Sequence, residues 1–115
     1  MFILCIFRRA CLLFPEVATE AVVEMVADVE LDTARSFAAR MAIPRASDDW
    51  RALVADPQVD LVDIATPNNL HFPIAMAAIA AGKAVYCEKP LALSTAEAAQ
   101  MADAAAARGV PTFVA

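Results

Sequence analysis

The sequence predicts an α/β fold built on a parallel sheet, and three observations carry that prediction. Short β-branched apolar runs alternate with segments of helical periodicity along the 115 residues. Helix start and stop signals fall between those runs. Apolar residues make up 61% of the chain and charged residues 20%, with a mean hydropathy of +0.57, a balance that excludes disorder and suits one domain with a real core.

The first fourteen residues, MFILCIFRRACLLF, admit two placements. Residues 3–13 suit a helix, the placement favoured here, and the FILCIF run suits a buried parallel strand instead. They do not suit a secretory signal, because the apolar run precedes the Arg8-Arg9 pair that interrupts it. They are also shorter than the about 20 apolar residues of a membrane span. A cytoplasmic location and no membrane partner are expected.

Ala21–Ala27 (AVVEMVA) is the first clear strand, ending at Asp28. Asp32 is the expected N-cap of a helix over about Thr33–Met41, with Phe37 and Met41 on one face and Pro44 as its stop. Asp48 or Asp49 then caps a short helix through Trp50, Leu53 and Val54, closed before Pro57. Leu61–Ala65 (LVDIA) is the next strand. Pro73–Ala81 reads as a helix, with proline in its first turn and Gly82 just past its end. Ala84–Cys87 (AVYC) is a third strand. Ser94-Thr95-Ala96-Glu97 is a capping box that opens a helix to about Ala107, which Gly109 ends. Pro111–Ala115 begins a further strand.

Composition narrows the function. Lys and Arg number 9 against 14 Asp and Glu, for a net charge of −5. That is the wrong sign for a nucleic-acid partner. Cys5, Cys11 and Cys87 are an odd count with no C-x-x-C pair, so reduced thiols are expected, with no disulfide framework and no metal site. Gly82 and Gly109 are the two glycines, too few for a glycine-rich phosphate loop.

In open α/β sheets, ligands bind outside the carboxyl ends of the strands. The residues there are Asp28, then Thr66-Pro67-Asn68-Asn69-Leu70-His71, then Glu88-Lys89-Pro90. A carboxylate such as Asp28 can accept from both hydroxyls of an adenosine ribose and repels a 2′-phosphate, which favours NAD over NADP. It equally suits a loop aspartate that caps the next helix. Thr66 and Asn68 place short hydrogen-bonding groups near a helix N-terminus, where a phosphate or ribose oxygen is favoured. They also fit ordinary turn chemistry, as His71 fits a core histidine. Lys89, directly after an apolar strand, can donate to or exchange a proton with a substrate hydroxyl, or sit in a solvated ion-pairing loop. Pro90 fixes that loop and suits a cis bond.

The segments MVADVELDTARSFAAR, DPQVDLVDIATPNNLH, AAIAAGKAVYCEKPLAL and ADAAAARGVPTFVA resemble successive pieces of the N-terminal domain of Gfo/Idh/MocA oxidoreductases. The likeness covers roughly residues 21–115, and the TPNNLH and CEKP motifs, one helix and one strand apart, carry it. It implies a Rossmann-type doubly wound parallel sheet with helices on both faces. It implies an enzyme that moves a hydride between NAD(P) and a sugar, inositol or related polyol. In that likeness Asp28 is the ribose-contacting acid. Thr66, Pro67, Asn68 and His71 belong to the turn lining the cofactor, Glu88 lies near the nicotinamide ribose, and Lys89 contacts substrate and cofactor and assists proton transfer. Family members begin with a strand and a G-x-G-x-x-G turn that this chain lacks, and continue into a second, substrate-binding domain. The expectation is therefore a truncated dinucleotide-binding domain over 1–115, with 1–20 an atypical apolar segment. The first strand, the glycine-rich turn and the C-terminal domain are then missing. Such a fragment is expected to fold poorly, to bind NAD weakly and to have little activity alone, with homo-oligomers reserved for the full-length enzyme. The alternative is a non-catalytic nucleotide-binding or protein-interaction module. Without its first strand, the rows at 21–27 and 61–65 are expected to stand unpaired.

Overall fold

The computed structural model describes residues 6–8 and 22–115. In chain order it has β1 (Ile6–Arg8), β2 (Val22–Val23), β3 (Met25–Ala27), α1 (Leu31–Met41), β4 (Arg45–Ser47), α2 (Trp50–Ala55), β5 (Leu61–Ile64), α3 (His71–Ala80), β6 (Ala84–Cys87), α4 (Thr95–Arg108) and β7 (Thr112–Val114), with a 3₁₀ turn over Asn68–Leu70 before α3. None of these helices is long and apolar enough to cross a membrane.

Strands β3–β4, β5–β6 and β6–β7 pair in parallel, the geometry that the helical crossovers demand. One sheet runs β2-β1-β5-β6-β7 and the other β3-β4. The chain runs from one sheet to the other where β3 follows β2 across Glu24; α1 and α2 pack on opposite faces of β3–β4, and α3 and α4 on one face of the larger sheet. Side-chain alternation along β3 sorts the first two. Met25 and Ala27 enter the larger core with Leu53 and Val54 of α2, whereas Val26 packs with Ala38 of α1 and Ile43. On β5 and β6, Val62, Ile64, Val85 and Cys87 face the same large core as Ile74, Ala78 and Met101 from α3 and α4. Asp63, Tyr86 and Phe113 are register neighbours on the alternate positions.

The N-terminal expectation is corrected where the structure describes it. Ile6–Arg8 is a strand rather than part of a helix, and it is antiparallel rather than parallel. It pairs with Val22–Val23 on one side and Leu61–Val62 on the other. Those two rows are therefore partnered, not open. An antiparallel neighbour needs only a reversal of the chain, while a parallel one needs a full crossover. The rest of residues 3–13, and Ala21, lie outside the described residues.

Other boundaries follow local chemistry. Helix α1 starts at Leu31 with Glu30 as its N-cap, so Asp32 sits in the first turn and is not the cap. The Asp28 carboxylate instead accepts from Glu30 N at 2.9 Å, because the short aspartate side chain reaches the backbone two residues on. Asp49 caps α2 by accepting from Arg51 N at 2.9 Å. Strand β4 was not anticipated, since Arg45-Ala46-Ser47 carries no strand pattern and forms only because β3 offers a parallel edge. Ser94 Oγ accepts from Glu97 N at 3.2 Å, while the Glu97 carboxylate reaches Leu93 N at 3.0 Å rather than the N-cap's own amide. Gly109 ends α4 at φ 65°, a left-handed conformation that glycine adopts without steric cost.

Helix α1 ends differently. Ala42 takes the left-handed position at φ 55°, with Ala42 N and Ile43 N both donating to Ala38 O. An L-residue with a Cβ is strained there. Ala42→Gly is therefore expected to raise stability by about 0.5–1 kcal/mol, read as a higher urea midpoint. An unchanged or lower midpoint contradicts that account.

Candidate functional site

The site is assembled by register. Ile64 lies opposite Cys87, and Glu88 N donates to Ile64 O at 2.9 Å. Thr66 and the Glu88-Lys89 pair therefore leave the sheet side by side at its carboxyl edge. Asp28 leaves β3 at the same edge, with its amide donating to Ser47 O at 3.1 Å.

Thr66 is 6% exposed, and its Oγ1 is buried without a hydrogen-bond partner among the described residues. Pro67 is extended, and its carbonyl accepts from Leu70 N at 2.9 Å to start the 3₁₀ turn. That turn leaves Asn68 and Asn69 exposed. His71, the first residue of α3, is fully buried at 0% exposure. Its Nδ1 lies 2.7 Å from Pro90 O and its Nε2 3.0 Å from Thr66 O. The ring thus bridges the two strand-end loops. The predicted turn histidine is spent on carbonyls inside the domain, and its ring offers no exposed surface to a ligand.

In the second loop, Lys89–Pro90 is a cis peptide, the geometry that the sequence suggested for Pro90. Glu88 and Lys89 are exposed, and Lys89 N donates to Glu88 Oε2 at 3.3 Å. The Cys87 thiol donates to Glu88 O at 3.4 Å. Asp28 is 1% exposed and serves the turn into α1 through Glu30 N. The Asp28 carboxylate thus braces the turn that leads into α1.

Two further groups respond to the burial and charge of this edge, and one of them, Cys87, is the buried free thiol that the cysteine pattern predicts. Asp63 is half-buried and sits above its ordinary carboxylate range, first because burial penalises its charge and then because Glu88 is near. Burial, followed by the charges of Asp63 and Glu88, pushes the Cys87 thiol up to about 11. Cys87 is therefore a thiol at neutral pH and not a nucleophile. No sequence signal marks Asp63, which stands in an ordinary apolar strand.

Comparison with known proteins follows this geometry. The sequence model of the Gfo/Idh/MocA group, described as an oxidoreductase family with an NAD-binding Rossmann fold, matches residues 10–115. Levoglucosan dehydrogenase of Pseudarthrobacter phenanthrenivorans is 40% identical over 92 residues, which cover 80% of this chain and 24% of that protein. The trans-1,2-dihydrobenzene-1,2-diol dehydrogenase of Mus musculus is 39% identical over 93 residues, covering 81% of this chain and 28% of the relative. The chain thus spans about a quarter of the length of the curated relatives it matches. A crystal structure of an NAD binding oxidoreductase from Klebsiella pneumoniae superposes with a TM-score of 0.83 at 50% identity, over 94% of this chain and 29% of that one.

The raised position of Asp63 has a signed consequence. Between its ordinary value of 3.8 and its raised folded value, the folded chain holds more protons than the unfolded one. Wild-type stability therefore falls as pH rises through that window. Asp63→Asn is expected to be more stable than wild type at pH about 7, with the gap closing toward pH about 4. Urea midpoints at the two pH values check it, and a gap that widens on acidification refutes it.

Proposed function

This chain belongs to the Gfo/Idh/MocA oxidoreductase family, and from that premise we propose that it is the dinucleotide-binding part of a dehydrogenase acting on a sugar, inositol or related polyol, with NAD as its cofactor. The observation that carries the reading is the Thr66 hydroxyl, buried at the carboxyl edge of a parallel sheet without a hydrogen-bond partner among the described residues. A buried hydroxyl without a partner is costly, and an edge of this kind is where dinucleotides seat. Beside it, Asn68 and Asn69 expose amides, and Glu88 and Lys89 expose opposite charges. These residue types suit the ribose hydroxyls, phosphates and carboxamide of a nicotinamide dinucleotide.

On this reading Thr66, Pro67 and Asn68 line the cofactor, and Glu88 lies at the nicotinamide ribose. Asp28 accepts from the adenosine ribose hydroxyls. It is followed by Glu30 and Asp32, so this corner is acidic and disfavours a 2′-phosphate. NAD, when bound, supplies the nicotinamide carbon that exchanges a hydride with the carbinol carbon. Lys89 donates a hydrogen bond to the reacting oxygen and helps to move its proton. His71 holds the loops from beneath. The dehydrogenase relatives, one of which is solved with NADH and levoglucosan, support a polyhydroxylated substrate. As a domain, we assign residues 1–115 to the dinucleotide-binding unit, with 21–115 as its family-like part.

The test is an amide-resolved NMR titration of the chain. NADH is expected to shift the amides of Asp28, Thr66, Asn68 to Leu70, and Glu88 to Lys89. NADPH is expected to bind about tenfold more weakly, because a phosphate faces Asp28, and Asp28→Ser should narrow that difference. Shifts confined to other residues, or no preference between the two nucleotides, count against the reading. Polyols scanned for NADH formation with the full-length protein, repeated with Lys89→Ala, test the chemistry. Unchanged turnover in that variant removes Lys89 from the mechanism.

A further inference from the structure

Beyond the packing of Leu91 and Ala92, the loop that carries Lys89 is tied to the rest of the described domain through one imidazole. Among the described residues, the Lys89–Ala92 segment makes no backbone–backbone hydrogen bond. Lys89 N reaches the neighbouring Glu88 carboxylate at 3.3 Å, and the backbone is picked up again where Leu93 N donates to Glu97 Oε2 at 3.0 Å. Leu91 and Ala92 pack against the core without polar contacts of direction. Between these points the polar link to the rest of the domain is the His71 ring, 2.7 Å from Pro90 O. The same ring is 3.0 Å from Thr66 O, the carbonyl of the residue whose hydroxyl lacks a partner.

We propose that His71 is a positioning residue that sets the Lys89 peptide against the Thr66 turn. Its claim on the nicotinamide end of the site rests on the cofactor reading above, but the tether itself does not. The ring sits on the first residue of α3, whose buried side chains Ile74, Ala75, Ala78 and Ile79 lock the helix to the sheet. A donor on that rigid element is a fixed point, whereas the loop alone has none. Both contacts end on carbonyl oxygens, so the ring acts only as a donor. A neutral imidazole carries one N–H and satisfies one carbonyl, and the doubly protonated ring satisfies both. The shorter contact is to Pro90, the link between the loops. The Thr66 contact spans only five residues and closes a local turn.

Two substitutions separate positioning from simple filling of space. An asparagine amide nitrogen stands about where ring Nδ1 stands, and a glutamine amide nitrogen about where Nε2 stands. His71→Asn therefore keeps the donor toward Pro90 O, and His71→Gln keeps the one toward Thr66 O. In the 115-residue chain, His71→Asn is expected to retain wild-type amide shifts and exchange rates at Lys89 and Leu91–Leu93. His71→Gln is expected to move those shifts and to speed exchange at those amides about tenfold, as loss of one buried hydrogen bond implies. The NADH-induced shift at Lys89 should survive in the first variant and vanish in the second. Equal disturbance of the loop by both variants, or by neither, overturns the tether. If the loop responds as expected but NADH shifts no residue of the wild type, the tether stands and the cofactor reading falls. Should both variants unfold, the wild type decides. A ring Nδ1 proton protected from solvent and coupled across a hydrogen bond to the Pro90 carbonyl is expected, and its absence overturns the proposal.

Discussion

The rest of the structure hangs on the parallel register between β5 and β6. Leu61 pairs with Ala84, Val62 with Val85, Asp63 with Tyr86 and Ile64 with Cys87. Parallel pairing forces the connecting segment to cross back over the sheet, and α3 is that crossing. Once the register is set, alternation sends Val62, Ile64, Val85 and Cys87 into one core with α3 and α4. The same register ends both strands at one edge, so Thr66 and Glu88 emerge together. A slip of one residue would turn every one of these side chains to the other face and would part the two loops that His71 bridges.

The polar groups divide by edge. At the amino ends of the strands Lys83 and Asp56 are paired inside the domain, while Arg45 Nη2 is buried without a hydrogen-bond partner among the described residues. The Lys83 ammonium, 7% exposed, donates to Asp56 O at 2.6 Å and Val59 O at 2.7 Å. Its burial lowers it from the usual lysine range, against the pull of Asp56 and Asp60. Arg45 pairs with Asp56 and lies 3.9 Å from Glu24. A donated Gln58 amide, together with Arg45, holds the Asp56 carboxyl below its ordinary value. These contacts tie α2, β4 and the start of β6 into one base. At the carboxyl ends the charges of Glu88 and Lys89 face solvent, the Thr66 hydroxyl has no hydrogen-bond partner among the described residues, and burial penalises the charge of Asp63.

Where sequence reasoning succeeded, the determining physics was local. The α3 and α4 segments, the glycine stops at Gly82 and Gly109 and the Asp49 cap depend on residues within a few positions of one another. The apolar β5 and β6 runs were visible for the same reason. Where it failed, a distant partner decided. Arg45–Ser47 becomes a strand because Met25–Ala27 lies beside it, and Ile6–Arg8 takes its direction from neighbours on two sides. Asp32 falls inside α1 because the helix starts at Leu31, after a turn anchored by the bond from Asp28 N to Ser47 O. Of the candidate site residues, Thr66, Glu88 and Lys89 stand at the strand ends that the apolar runs marked in the sequence. The two carbonyl contacts of His71 were not legible there, because Pro90 is nineteen residues away.

By itself, then, the sequence determined the α/β class, the residues that reach the carboxyl edge and the family whose motifs they carry. Apolar periodicity, capping signals and short motifs are written in contiguous residues, and their physics acts over the same range. The tertiary structure alone decided the antiparallel direction of β1, the burial of His71 between two carbonyls, and the raised positions of Asp63 and Cys87. Each of those depends on which groups the packed chain brings within a few ångströms, and on how much water it removes from around them.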